Sequence, residues 1–460
     1  MRRFCQRAAP GYAGSSCPRS RSPTGRRLIR IILREPGTLT VREDDCMSAA
    51  QARVPGSKSL TNRALAIAAM ADGVTELDNP LVSDDTSAFA DALVALGVPV
   101  ERQARRWTVT GSRSGPRVRS GRVWCEDAGT AARFLPPMVA AAGGVFDFDG
   151  TDQLRARPLH PLIDALRALG ATVEPSGDGG GLPFRLVSDG LTGGEVTLAS
   201  GTSSQYLSGL LMAGPLLSNP LTVVAPELVS RPYVDMTIAV MARFGVQVTE
   251  ARPDRFTVHP GRYTRARYLV EPDASTASYV LAAAAVTGKE VSVDGLGSAS
   301  PQGDRRFVDV LSQLGATVTA DRDRVTVRGP RHLRGGFEVD MGSISDTFMT
   351  LAAIAPLADA PIRITGVGHA RLKESDRIDA MAQNLVACGV PVRTGPDWIE
   401  ISPTDPSPAL IHCRRDHRIA MSFSVLGLRV SGLLLDDPAC VSKTFPGFHD
   451  ELARLFADGR

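Results

Sequence analysis

The chain reads as an α/β protein of six similar units, three in each of two domains, and three observations predict it. A phrase that ends a helix, turns at glycine and enters a β-branched strand recurs as "LVALGVPV", "LRALGATV", "MARFGVQV", "LSQLGATV" and "LVACGVPV". Its glycines, Gly97, Gly170, Gly245, Gly315 and Gly389, lie 70 to 75 residues apart, and glycine after a helix is the common left-handed cap. Alanine-rich apolar helices keep the same beat, with starts near residues 61, 130, 204, 276, 346 and 418. Between the two helices of each unit stand a strand and a polar loop, visible as "LVSDDT", "LRARPL", "LVSRPY", "SPQGDRR", "LKESDRI" and "SKTFPG". At 460 residues the chain is long for one core, so three units per domain is the economical arrangement.

In chain order, residues 1–46 come first, with ten Arg against four Asp/Glu and no acid before Glu35. That composition is read as a disordered extension, or as translated sequence ahead of a start at Met47, with an organelle transit peptide as the alternative. Next comes a strand, either "GTLTV" or "AQARV". It is expected to complete the sixth unit, whose final helix "FHDELARLF" is followed by no strand of its own. The first domain is expected over residues 57–271, and the second over 47–56 together with 272–460. The alanine-rich helices are apolar nearly all round and should be buried, while the amphipathic helices ending at the repeated glycines should cover them.

Composition excludes several functions. No run of about 18 apolar residues occurs, so no transmembrane helix is expected. The net charge of +3 sits in the head; the remaining 414 residues are mildly acidic, which argues against broad nucleic-acid binding. Seven scattered cysteines show no CxxC and no histidine at ligand spacing. They argue against structural zinc and a disulfide framework, and fit a reducing cytosol.

Polar residues gather where the buried helices begin. Lys58, Ser59 and Arg63 open the first; Asp127, Gly129, Thr130 and Arg133 the second; Ser203, Ser204 and Gln205 the third. Asp273 and Ser275, Ser345 and Asp346, and Asp416, His417 and Arg418 open the other three. A helix N-terminus carries unpaired N–H groups and a partial positive charge, so it favours anions. For any one position an N-cap is the simpler reading. Basic residues within a turn of most caps, with Arg157, Arg231, Lys373, Arg377 and Lys443 in the loops, shift the set toward anion binding. "PGSKS" lacks the G-K adjacency of a nucleotide-binding P-loop. "KESDR" by itself reads as a solvated helix face, and "DHR" as a cap followed by polar residues.

The phrases "PGSKSLTNRA", "DAGTAARF", "RARP", "SSQYLSGLLM", "LVSRPYVDMT", "EPDASTASY", "LKESDRIDAM", "DHRIAMSFS" and "SKTFPGF" stand in one order. With them the sequence resembles the 3-phosphoshikimate 1-carboxyvinyltransferase (EPSP synthase) family from about Val54 to Phe448. The resemblance implies a two-domain inside-out α/β barrel, each domain three βαβαββ units around buried parallel helices, with the active site in the cleft. It implies transfer of the carboxyvinyl group of phosphoenolpyruvate to the 5-hydroxyl of shikimate 3-phosphate, with release of phosphate, in the pathway to aromatic amino acids. It implies no metal, nucleotide or other cofactor. A monomer with hinge closure is expected because the ligands come from both domains, and the cysteine usage points to the cytoplasm, with organelle targeting by residues 1–46 as the alternative.

Residue by residue, the resemblance implies that Lys58 contacts both substrates and serves in proton transfer. Ser59, Arg63, Ser203, Ser204, Gln205, Ser230, Asp346 and Lys373 then hold shikimate 3-phosphate. Gly129, Arg157, Gln205, Arg377, Arg418 and Lys443 hold phosphoenolpyruvate. Asp346 is implied as the base at the 5-hydroxyl and Glu374 as the acid at the methylene carbon. Three positions depart from the family pattern: Asp127 stands for an asparagine, Phe134 for a proline and His369 for an asparagine. Gly129 leaves room beside the phosphoenolpyruvate pocket, so sensitivity to glyphosate is expected, checked by loss of activity at high inhibitor. The sister reading, enolpyruvyl transfer to UDP-N-acetylglucosamine, requires a reactive cysteine five residues before Arg157, where this chain has Asp152. A non-catalytic anion scaffold on the same repeats is disfavoured by the presence of Lys58, Asp346 and Glu374, and RNA-terminus processing by the acidic body.

Overall fold

The computed structural model describes residues 29–30, 49–176 and 180–456. Five units share one order of strand, buried helix, strand, outer helix and hairpin. In the second unit, Ser120–Trp124 runs parallel to Gly144–Asp149, whose other edge carries the antiparallel strands Phe184–Ser188 and Thr172–Pro175. The same pattern holds around Leu221–Val224 and around Ile362–Thr365.

The leading strands of units one and four are borrowed. Tyr263–Thr264 and Arg267–Leu269 pair in parallel with Ala71–Asp78 of the first unit. Ala50–Gln51 pairs in parallel with Glu290–Asp294 of the fourth. This corrects the expectation that "AQARV" completes the sixth unit. The chain before Glu290 is already spent on the first sheet, so the fourth sheet draws its parallel edge from the segment that precedes residue 55. In the sixth sheet Leu410–Ile411 runs parallel to Leu434–Leu435, and Ile29–Arg30 pairs antiparallel to the latter. "GTLTV" lies outside the described residues.

Two buried clusters result. One runs from Leu60 to Val270 and encloses helices Lys58–Met70, Ala131–Ala142 and Gln205–Ala213. The other takes Ala52 and residues from Ala274 to Phe456, around helices Ala274–Thr287, Phe348–Ile354 and His417–Leu426. These helices are buried on all sides, as their all-round apolar character requires. The strands alternate instead: in Arg106–Gly111 every second residue is buried against the helices, so the sheets form the outer layer. The repeated glycines all adopt positive φ, between 77° and 102°, which ends each outer helix and turns the chain into its hairpin.

The chain crosses between the clusters at two adjacent segments. Ser57 N donates to Glu271 O at 2.8 Å, and Asp273 N to Pro55 O at 2.9 Å. Gly56 lies at this crossing, where a Cβ would stand 2.1 Å from the carbonyl oxygen of Asn79. No helix among the described residues is long and apolar enough to cross a membrane.

Candidate active site

The N-termini of the buried helices meet where the two clusters face one another. Three are closed by their own caps: Ser57 accepts from Leu60 N, Asp273 from Thr276 N and Asp416 from Arg418 N. Helices Ala131–Ala142 and Gln205–Ala213 begin at Thr130 and Ser204, whose side chains make no capping bond. Helix Phe348–Ile354 begins at Thr347, likewise without a side-chain cap, so the starts of these three helices have N–H groups that their cap residues do not take. Ser203 Oγ accepts from Gln205 N at 3.3 Å.

In the second half the site is built around Arg377, the first residue of helix Arg377–Ala387. Its Nε donates to Asp416 Oδ2 at 2.9 Å, Nη1 to Asp346 Oδ1 at 2.9 Å and Nη2 to Glu374 Oε2 at 2.7 Å. Arg418 Nη2 reaches Asp346 Oδ2 at 2.7 Å. The Glu374 side chain is 8% exposed and also faces Arg157 at 3.8 Å and Lys443 at 3.6 Å. "KESDR" is thus no solvated face; Lys373, Glu374 and Arg377 turn inward.

Charges this close set each other's protonation. Burial works against the Glu374 carboxylate, but Arg377, Arg157, Lys443 and Lys58 outweigh it and hold that carboxyl well below its ordinary range. Asp346 is likewise held low, burial being outweighed by Arg418, Arg377, Lys373 and Lys58. Burial, with Arg377 nearby, brings the Lys373 ammonium down to about 8. His369 is brought down to about 4 by burial and by Lys373. Its Nε2 lies 3.1 Å from Ser230 Oγ and 2.8 Å from Ser345 Oγ. His417 is fully buried, with neither ring nitrogen hydrogen-bonded; burial and the cations Lys58 and Arg418 keep it neutral.

In the first half the cations lean on neutral groups. Arg63 Nε donates to Thr237 Oγ1 at 2.7 Å, Nη1 to Ser59 O at 3.0 Å, and Nη2 to Ser208 Oγ at 3.4 Å and Tyr233 O at 3.0 Å. One N–H of Nη1 remains for any further partner. Arg133 donates to Gly129 O at 3.1 Å, Gln205 Oε1 at 3.3 Å and Pro158 O at 3.3 Å. A Cβ on Gly129 would sit 2.6 Å from a guanidinium nitrogen of both Arg133 and Arg157, so glycine is what lets the two arginines close in. Phe134 lies in the core with the Arg63 guanidinium 5.3 Å above its ring. Asp127 is drawn off by Arg415 Nη2 at 2.8 Å and a hydrogen bond from Thr151, so its charge is spent beside the cleft.

The two halves also touch directly. Gln153 Nε2 donates to Glu374 O at 2.8 Å, and Lys443 Nζ to Asp127 O at 3.2 Å. Lys58 N donates to Asp273 Oδ2 at 3.0 Å. The structure brings Lys58, Gly129, Arg157, Gln205, Lys373, Glu374, Arg377, Arg418, Lys443 and Asp346 into one network, with Ser230 joined to it through His369. Arg231 does not belong: it pairs with Asp235 and Glu250 and covers Phe256 on the outer face. Sequence reasoning passed over Tyr233, whose hydroxyl lies 3.0 Å from Asp346 Oδ2; its place one turn after Ser230 was the available signal. Asp416 was read only as a cap, yet it also anchors Arg377. Buried donors without partners remain at Arg133 Nε, Arg157 Nε and Arg418 Nε, and unpartnered buried donors favour an anionic acceptor.

The chain matches the family model of EPSP synthase (3-phosphoshikimate 1-carboxyvinyltransferase) over residues 48–452. It is 41% identical over 403 residues to the 3-phosphoshikimate 1-carboxyvinyltransferase of Nostoc punctiforme, covering 87% of this chain and 94% of that one. To the enzyme of the same name from Syntrophobacter fumaroxidans it is 42% identical over 411 residues, covering 88% and 97%. Among solved structures, the EPSP synthase of Acinetobacter baumannii superposes with a TM-score of 0.74 at 29% identity, over 89% of this chain and 95% of that one. The enolpyruvyl transferase NikO of Streptomyces tendae shares the fold, with a TM-score of 0.71 at 18% identity over 89% and 94%. Six related units, a cation-rich cleft with three ion-paired carboxylates, and likeness along nearly the whole chain converge: the chain belongs to the EPSP synthase (3-phosphoshikimate 1-carboxyvinyltransferase) family of transferases.

Proposed function

We propose that the protein transfers the carboxyvinyl group of phosphoenolpyruvate to the 5-hydroxyl of shikimate 3-phosphate, releasing phosphate. The observation that carries this reading is the buried network itself. Cations from both halves outnumber the carboxylates between them, and three guanidinium Nε donors there lack partners. Two highly anionic substrates supply the missing acceptors.

Phosphoenolpyruvate lies against Gly129, Arg157, Gln205, Arg377, Arg418 and Lys443. The phosphate of shikimate 3-phosphate takes Ser203, Ser204, Ser230 and Lys373, with Ser59 and the remaining Arg63 donor toward the rest of that substrate. Asp346 accepts the 5-hydroxyl proton as the oxygen attacks C2 of phosphoenolpyruvate. Its pairing with Arg377 and Arg418 keeps it ionised and ready to accept. Glu374 delivers a proton to the methylene carbon, giving a tetrahedral ketal, and elimination reverses that proton movement as phosphate leaves. In the free protein the surrounding cations hold Glu374 ionised. Once phosphoenolpyruvate neutralises Arg157, Arg377 and Lys443, burial prevails and the carboxyl can carry the proton it donates.

The reading also takes residues 57–271 and residues 47–56 with 272–460 as two domains hinged at the paired crossings. Ligands from both faces draw them together. Every group named above comes from one chain, so a monomer suffices, and the reduced cysteines Cys125, Cys388, Cys413 and Cys440 suit the cytoplasm. The test is phosphate release with phosphoenolpyruvate and either shikimate 3-phosphate or UDP-N-acetylglucosamine as acceptor. Release with shikimate 3-phosphate alone is expected; turnover of the sugar nucleotide alone overturns the reading.

A further inference from the structure

Behind Asp346 lies a second carboxyl group that the reaction as described does not use. Asp304, in the turn Gly303–Arg306, is 4% exposed. The Tyr233 hydroxyl stands 2.9 Å from Asp304 Oδ2 and 3.0 Å from Asp346 Oδ2. One phenolic proton therefore lies between two carboxylates and can complete a full hydrogen bond to only one of them. Ser275 Oγ donates to the same Asp304 oxygen. The other oxygen, Oδ1, is buried without a partner. Asp304 also lines a cavity of about 30 Å³ with Ser278, Arg305 and Phe307, room for a water molecule beside a polar group.

The two acids live in unlike surroundings. Asp346 is gripped by Arg377 and Arg418. Among the described residues no Lys or Arg forms an ion pair with Asp304. The titratable and charged groups facing it are Tyr233 from helix Arg231–Arg243, Asp346, and Arg418 from helix His417–Leu426. Arg305 and Arg306 of its own turn are engaged elsewhere, with Ser300 O and Asp309. Burial, then the neighbouring Asp346 charge, raises the Asp304 carboxyl to about 7.

We propose that Asp304 is a positioning residue that holds a proton for the base, the two carboxylates exchanging it through the Tyr233 hydroxyl. The proposal rests on the assignment of Asp346 as the base. As the substrate O–H bond breaks, its proton goes to Asp346. Asp346 then passes a proton to the Tyr233 oxygen while the Tyr233 O–H bond breaks toward Asp304. Tyr233 ends unchanged, Asp346 is again a carboxylate, and Asp304 is the neutral acid. The proton returns by the same path to the departing phosphate, so the cycle balances without any other reactant.

The test uses the full chain, with shikimate 3-phosphate and phosphoenolpyruvate. Turnover by the unaltered protein establishes the underlying reaction independently, and kcat should rise with pH through about 7 as Asp304 becomes able to accept. In Asp304→Asn that limb should vanish and kcat should fall by about tenfold or more, with KM for either substrate within about twofold. The double variant Tyr233→Phe/Asp304→Asn should be no slower than Tyr233→Phe alone, since both interrupt one path. An unchanged pH limb in Asp304→Asn, or losses that multiply in the double variant, overturns the proposal. Should Asp304→Asn fail to fold, infrared spectra of the unaltered protein decide. A protonated carboxyl band that titrates near pH ~7 and shifts in Tyr233→Phe supports the proposal, and absence of such a band refutes it.

Discussion

The two faces of the cleft hold their arginines in opposite ways. In the first half Arg63 and Arg133 are buried among hydroxyls and backbone carbonyls, and burial lowers both guanidinium groups to about 10. In the second half burial acts the same way on Arg377 and Arg418, but Asp416, Glu374 and Asp346 around the one and Asp346 beside the other outweigh it and raise both. The carboxylates of the network, Asp346, Glu374, Asp416 and the flanking Asp304, all come from the second half. The difference sets up a division: among the described residues neither Arg63 nor Arg133 forms an ion pair with a carboxylate, and only Arg157 of the first half reaches across to Glu374, while the second half gathers the acids of the network.

Removing a carboxylate from the second face is the most direct way to break that division. Asp346→Asn keeps the shape and leaves Arg377 and Arg418 in place, so kcat should fall by about 10²- to 10⁴-fold with the fold retained. Steady-state kinetics alongside a thermal melt check this. Lys58→Ala reaches across both faces and is expected to abolish turnover of a folded protein; near-normal turnover would refute the role given to it.

On the first face the corresponding variant is Gly129→Ala. The added methyl meets the guanidinium groups of Arg133 and Arg157 at 2.6 Å and must displace them from the place proposed for phosphoenolpyruvate. KM for phosphoenolpyruvate should rise by about tenfold or more, while binding of shikimate 3-phosphate alone, read by calorimetry, changes little. Equal weakening of both substrates would show that the faces are less independent than their bonding indicates.

A smaller effect comes from pH. Lys373, held at about 8, loses its charge as pH rises through that value, so KM for shikimate 3-phosphate should climb by about tenfold above it. Lys373→Arg, which keeps its charge, should flatten the climb. His369, held at about 4, stays neutral over the same range and adds no limb of its own.

The smallest effect is expected at Asp127 and Arg415. This pair bridges the halves at 2.8 Å, but its side chains are 27% and 59% exposed. Asp127→Asn should shift stability and KM by less than about 1 kcal/mol, under about fivefold. A larger change in KM would mean that the Asp127 charge reaches the ligand.

Much of this was legible in the sequence because local rules wrote it. The glycines after the outer helices sit where φ must be positive, and helix starts near 61, 130, 204, 276, 346 and 418 match helices opening at Lys58, Ala131, Gln205, Ala274, Phe348 and His417. Capping chemistry was legible at Asp273 and Asp416 and illegible at Thr130 and Ser204, whose sequences look equally fit to cap; the first helix is capped by Ser57, just ahead of the Lys58 and Ser59 read as its start. Whether a hydroxyl turns back to its own helix depends on what faces it.

By itself, then, the sequence determined the six-unit α/β plan, the positions of the buried helices and the residue types gathered at their starts, since periodicity, glycine geometry and capping act within a few residues. Tertiary structure alone decided which sheet "AQARV" joins, that Arg231 lies outside the site while Tyr233 and Asp416 lie within it, and that Asp127 is neutralised by Arg415. It also decided which arginines meet carboxylates and which meet only carbonyls. Those outcomes turn on groups up to several hundred residues apart being buried together, where desolvation and Coulomb attraction compete over a few ångströms, and no local pattern along the chain encodes that competition.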